Sequence, residues 1–170
     1  MLVTSLVVTW MLASPAQPPR LADADSTYTS VKWSDCRLLD RSDQGGHSER
    51  MCPGVAGYTV RIHDSDHGGS LDLLRGERVV LRGPTTHWWD VTDKIVEWRF
   101  RRGDPKRPFA FMFRMHCGGA PETCPSRMGK LQVVRLDGER ACIIGTTPSN
   151  AEAHRIADDM KRPCVDDWGR

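Results

Sequence analysis

The strongest constraint on this chain is a period-two pattern near its centre. Over residues 95–101, Val96, Trp98 and Phe100 alternate with Glu97, Arg99 and Arg101. Successive side chains of a strand point to opposite faces, so this run predicts one buried and one wet face. The turn Gly103-Asp104-Pro105 follows. Phe109, Phe111, Phe113 and Met115 then alternate with Ala110, Met112, Arg114 and His116. Two such runs around a short turn predict an antiparallel hairpin that supplies much of the core.

Weaker strand patterns cover residues 58–63, 71–74, 78–82, 131–136 and 141–145, with a tight-turn signal at Asp137-Gly138 between the last two. Residues 28–33 and 37–39 add short edge strands. One helix is well marked. Ser149 and Glu152 form a capping box, and Ala153, Ile156, Ala157 and Met160 make an apolar stripe. Lys161 and Arg162 suit the helix C-terminus, and Pro163 stops it. Strands first and one helix last predict a mainly β (α+β) fold. Its form is a curved antiparallel sheet or small barrel with one C-terminal helix packed on it.

The first residues and the cysteines set the compartment. Residues 2–13 are mostly apolar, and no Lys or Arg precedes them. The run is too short for a membrane helix, which needs about 20 residues, but fits the apolar region of a secretory signal. The expected signal spans residues 1–24, ending at Ala22-Asp23-Ala24, with an alternative end at Ala16. Residues 17–27 read as a linker, and 25–170 as one disulfide-stapled globular domain. No later segment approaches 18 apolar residues, so no membrane span is expected after signal removal. The expected location is periplasmic or secreted.

All six cysteines follow the expected cleavage site, in an even count that suits an oxidising compartment. Sequence alone does not choose among their possible pairings. Local geometry favours Cys36–Cys52 across a hairpin turn containing Gly45-Gly46, and Cys142–Cys164 around the helix. Cys117–Cys124 then closes a short Gly/Pro loop.

Some residues carry a family likeness. Cys36 and Cys52-Pro53-Gly54-x-x-Gly57-Tyr58 resemble the start of a family of small exported proteobacterial proteins of unknown function. Ile95-x-Glu97-Trp98-Arg99 and Arg107-Pro108-Phe109-Ala110 resemble it too, as does the ending, where Cys142 and Cys164 bracket Arg155-Ile156-Ala157-Asp158. The likeness runs over most of residues 28–164, with gaps. It implies export and two of the three disulfides, and it implies no activity.

The net charge of +2 on 170 residues is too mild to imply nucleic acid or a membrane surface. No nucleophile elbow, phosphate-binding glycine loop, dinucleotide fingerprint or metalloprotease motif occurs. No catalytic residue and no cofactor is therefore expected. The candidate metal stretch is His63-Asp64-Ser65-Asp66-His67, with His63, Asp66 and His67 as ligands. A tetrahedral zinc site needs a third or fourth ligand from elsewhere, such as His47 or His87. The competing reading is a solvated turn. His116 with Cys117 and Cys124 lacks zinc-knuckle spacing.

A basic stretch, Arg99, Arg101, Arg102, Lys106 and Arg107, spans a strand end and its hairpin loop. Guanidinium forks match carboxylate and phosphate. The stretch is either an ordinary wet sheet face or a contact for an acidic protein or anionic envelope polymer. Trp88 and Trp89 are adjacent, so in a strand only one enters a single-sided core and the other can anchor a partner. Trp88, Trp89, Arg99, Arg101 and Arg107 form the expected binding surface. The functional expectation is a binding module of the cell envelope, with a metal-binding or hydrolytic protein using His63–His67 as the alternative.

Overall fold

The central hairpin forms as its alternation requires, in a computed structural model that describes residues 24–42, 46–66, 68–83, 89–90, 94–117 and 129–165. In chain order the strands are β1 (Ala24–Ser30), β2 (Arg37–Arg41), β3 (His47–Pro53), β4 (Tyr58–Ser65), β5 (Gly68–Arg75) and β6 (Arg78–Leu81). There follow β7 (Trp89–Asp90), β8 (Ile95–Arg101), β9 (Pro108–Cys117), β10 (Lys130–Asp137), β11 (Arg140–Thr147) and the helix α1 (Asn150–Ala157).

Two antiparallel sheets result. The first runs β1-β8-β9-β10-β11, with β7 on the far end of β9, and the second is the meander β2-β3-β4-β5-β6. Among the described residues neither sheet closes, so the single curved sheet or barrel becomes two open sheets facing each other. Tyr58, Val60, Ile62, Leu71 and Leu73 of the second sheet share one core with Trp98, Phe111, Phe113, Val134 and Ile143 of the first. The Trp98 and Phe111 rings lie 4.6 Å apart, and Trp98 meets Tyr58 at 5.8 Å. Each such pair adds roughly 0.5–1.5 kcal/mol beyond its buried area.

The wet outer face expected for the central hairpin is largely covered. Phe109, Ala110, Met112, Val133 and Ile144 pack under Ala153, Ile156 and Ala157 of α1. The first sheet is therefore apolar on both faces over β9, which is why Ala110 and Met112 alternate with phenylalanines rather than with charges. Gly145 lies against Ile156, where an added Cβ would stand 3.0 Å from Cγ2.

The cap of α1 is as expected: Ser149 Oγ accepts the Glu152 N–H. The helix ends earlier, at Ala157, so Met160, Lys161 and Arg162 lie beyond it. Asp158 is held by Arg99, and the chain continues in turns closed by Asp159 N–H to Ile156 O and Arg162 N–H to Asp159 O. The linker reading also needs correction, because residues 24–27 belong to β1. Asp25, Ser26 and Thr27 are polar, as suits an edge strand, although Asp25 and Thr27 stand opposite the buried Phe100 and Trp98. Ser26 faces Arg99 in register and donates to Glu97.

Disulfides join Cys36 to Cys52 and Cys142 to Cys164. The first ties the lead into β2 to β3, and the second ties β11 to the segment after α1. Both fit a non-reducing environment. The expected Cys117–Cys124 bridge and the expected signal, apart from Ala24, lie outside the described residues. No described helix is long and apolar enough to cross a membrane.

Candidate functional site

Hairpin turns from both sheets gather at one end of the sandwich and enclose a cleft of about 430 Å³. The second sheet contributes Tyr58 at the start of β4 and Arg75 at the end of β5, which are register partners. The β8–β9 hairpin contributes Arg101, Lys106 and Arg107, and the β10–β11 turn contributes Asp137 and Gly138. Left-handed glycines form these turns. Gly76 at φ 59° and Gly138 at φ 57° occupy the first position of two-residue loops, where a side chain would be strained.

Tyr58 forms part of the floor. Its hydroxyl donates to Gly138 O at 2.8 Å and so joins the two sheets. The Arg75 guanidinium lies over its ring, 5.5 Å from the centroid. Burial pushes the Tyr58 phenol above its ordinary value, and Arg75 opposes that only in part. Pro108, Phe109, Leu136 and Met160 make the rest of the wall substantially apolar.

The charge balance of the cleft is positive. Arg75, Arg101, Lys106 and Arg107 stand against Asp104 and Asp137. Among the described residues, none of the four cations is ion-paired to a carboxylate. Their neighbours are paired: Arg102 approaches Asp25 at 3.8 Å, and Arg78 meets Glu139 at 3.1 Å.

No family model, curated protein or solved structure matches this chain.

Arg101 and Arg107 of the expected binding surface do share the cleft. Arg99 does not, and that expectation is corrected. It is buried beneath the end of α1, with Nε and Nη2 on the Asp158 carboxylate at 3.1, 2.6 and 2.7 Å and Nη1 on Ser26 Oγ at 3.0 Å. A strand residue on the helix-covered face is enclosed whatever its charge, and burial then demands a partner. Trp88 and the side chain of Trp89 lie outside the described residues. Trp33 is half exposed and carries Arg50 over its ring at 5.0 Å.

The candidate metal stretch is split by strand geometry. Because β4 runs through Ser65, His63 and Asp64 point to opposite faces. Asp64 pairs with Arg50. His63 stands between two carboxylates, Nδ1 at 3.5 Å from Glu49 and Nε2 at 3.5 Å from Asp72. Arg61 joins the same pair, at 3.6 Å from Glu49 and 2.7 Å from Asp72. Opposite edges of one ring cannot address a single metal ion, and Arg61 already supplies a cation between the carboxylates. Asp66 sits in the turn with its N–H on Gly46 O, His47 lies 3.8 Å from Asp40, and His67 and His87 are outside the described residues. Among the described residues no three His, Cys, Asp or Glu are grouped to hold a metal. Gly129 packs so closely on the His116 ring that a Cβ there would stand 2.5 Å from Nε2.

Sequence reading missed a third cluster. Glu97 accepts from Ser26 Oγ and lies 2.8 Å from His154 Nε2. Tyr28 lies beside it, its phenol pushed up by burial and then by the Glu97 charge. Here the carboxylate stands between hydroxyl and imidazole. In a serine triad the imidazole must contact the hydroxyl, so this arrangement docks α1 on β8 and activates no nucleophile. The basic cleft is thus the described feature with both a cavity and free charge.

Proposed function

We propose that this protein is an exported binding module of the cell envelope, periplasmic or secreted, that receives an anionic group in the cleft between its two sheets. One observation carries the reading: Arg75, Arg101, Lys106 and Arg107 converge on a concavity with no ion-paired carboxylate among them. Like charges gathered at a surface repel one another, and an incoming anion relieves that cost. Guanidinium groups bind carboxylate or phosphate through paired N–H donors. The disulfides support an extracytoplasmic setting. Binding fits better than turnover, because the imidazoles of His63 and His154 stand against carboxylates rather than against a hydroxyl or thiol.

Amide NMR shifts on addition of inorganic phosphate test this. Saturable shifts at residues 101–109 and at Gly138, abolished by Arg101→Gln with Arg107→Gln, are expected. Shifts that never saturate, or that persist unchanged in the double variant, would refute the reading.

A further inference from the structure

We infer that the cleft takes a linear acidic oligosaccharide rather than a single anion; this rests on the anion-binding reading above. Two depressions lie side by side. Beyond the main cleft is a second hollow of about 330 Å³, lined by Arg75, Arg78, Val80 and Glu139. Arg75 lines both. The cations therefore form a track, from Lys106 and Arg107 on the β8–β9 hairpin through Arg75 to Arg78 on the β5–β6 hairpin. One compact anion engages only part of such a track. A chain with repeated anionic groups engages all of it, and each further group adds its contact without a new association cost.

The glutamate in the second hollow does not block it. Arg78 and Glu139 keep most of their side-chain surface, 62% and 80%, so their pairing is a weak surface contact that a ligand carboxylate can replace. The walls decide the ligand class. Met160 stands exposed on the main cleft, and the buried Pro108, Phe109 and Leu136 back its wall. Polyphosphate has no apolar surface to set against them. A uronic acid chain does, because each sugar ring carries C–H faces between its carboxylates. Arginine forks read planar carboxylates through two parallel hydrogen bonds.

Oligogalacturonates of increasing length, from the monomer upward, test this by calorimetry on the exported, oxidised protein. Affinity is expected to climb with length until the chain covers both hollows, and to vanish for the methyl-esterified chain. Arg78→Gln is expected to weaken the longer chains about tenfold, the value of one charge-assisted hydrogen bond, and to leave the monomer unchanged. Arg37→Gln with Arg41→Gln, on the opposite edge strand of the second sheet, lowers net charge further and is expected to change little. If monomer and long chains bind equally, or if the β2 control weakens binding as much as Arg78→Gln, the track is overturned while the anion site stands. If polyphosphate or polyglutamate binds more tightly than oligogalacturonate, the sugar assignment is overturned. If no anion of any kind binds, the underlying reading fails with it.

Discussion

Replacing Arg99 by Met tests the account of how α1 is held. Arg99 and Asp158 retain only 8% and 14% of their side-chain surface, and three nitrogen–oxygen contacts join them. The substitution keeps the apolar stem but leaves the Asp158 carboxylate enclosed without its cation. Stranding one partner of such a pair costs roughly 3–5 kcal/mol. The urea dependence of a domain this size is on the order of 2 kcal/mol per molar, so the midpoint should fall by about 2 M. Urea unfolding followed by tryptophan fluorescence, with disulfides intact, reads this directly.

Asp158→Leu added to Arg99→Met removes both charges and should restore most of the loss, because an apolar pair of similar size is often neutral at a buried site. Suppose Arg99→Met shifts the midpoint by less than about 0.3 M, well under the cost of a stranded buried charge. Then the pair is not enclosed, Arg99 belongs with the surface cations after all, and the three-layer packing is wrong there. The same outcome follows if the double variant is no more stable than the single one.

Other consequences are open to measurement. Replacing Cys142 and Cys164 by Ser frees a loop of sequence separation 22, and chain entropy puts the loss at about 3 kcal/mol by chemical denaturation. Gly54→Ala would place a Cβ 2.4 Å from Tyr58 O and 3.1 Å from Trp98, so a loss of roughly 1–3 kcal/mol is expected; unchanged stability would show that the β3–β4 turn relaxes freely. Both tyrosines have phenols raised above 10.0, so absorbance at the tyrosinate band should show less than half ionisation at that pH, and Tyr28→Phe isolates Tyr58. The sign follows from linkage. An unfolded phenol ionises first, so this contribution to stability is complete below the ordinary phenol value and is lost as pH rises through the folded one.

How much of this was legible in the sequence differs by residue, for physical reasons. The β8–β9 hairpin was readable because alternation is local, and so was the Ser149 cap, which needs only four residues. The helix end was not, because a distant residue, Arg99, takes Asp158. Arg99 shows the general difficulty. Alternation shows that a side chain leaves one face, but not whether another layer covers the other. Period two with charges at 97, 99 and 101 looks the same under a helix as under water. Only Ala110 and Met112 on the partner strand hint at a second apolar face, because they stand where the alternation expects polar residues.

The cleft illustrates the opposite case. Arg101 and Arg107 were visible as a basic stretch, yet a basic stretch on one hairpin is only half a site. Its other half is Tyr58, Arg75 and Arg78, which lie on or beside strand patterns at 58–63, 71–74 and 78–82 but whose place in space is not local information. Strand existence does not dictate strand order, and still less which ends of two sheets meet. What brings the halves together is the shared core around Trp98, Phe111 and Tyr58, closed by the Tyr58 hydroxyl on Gly138 O. A binding surface made this way depends on the packing behind it. Tyr58→Phe should therefore loosen the β10–β11 turn and weaken anion binding, although it removes no charge. Arg101→Gln should weaken binding and leave stability unchanged, because its side chain stands exposed at the rim.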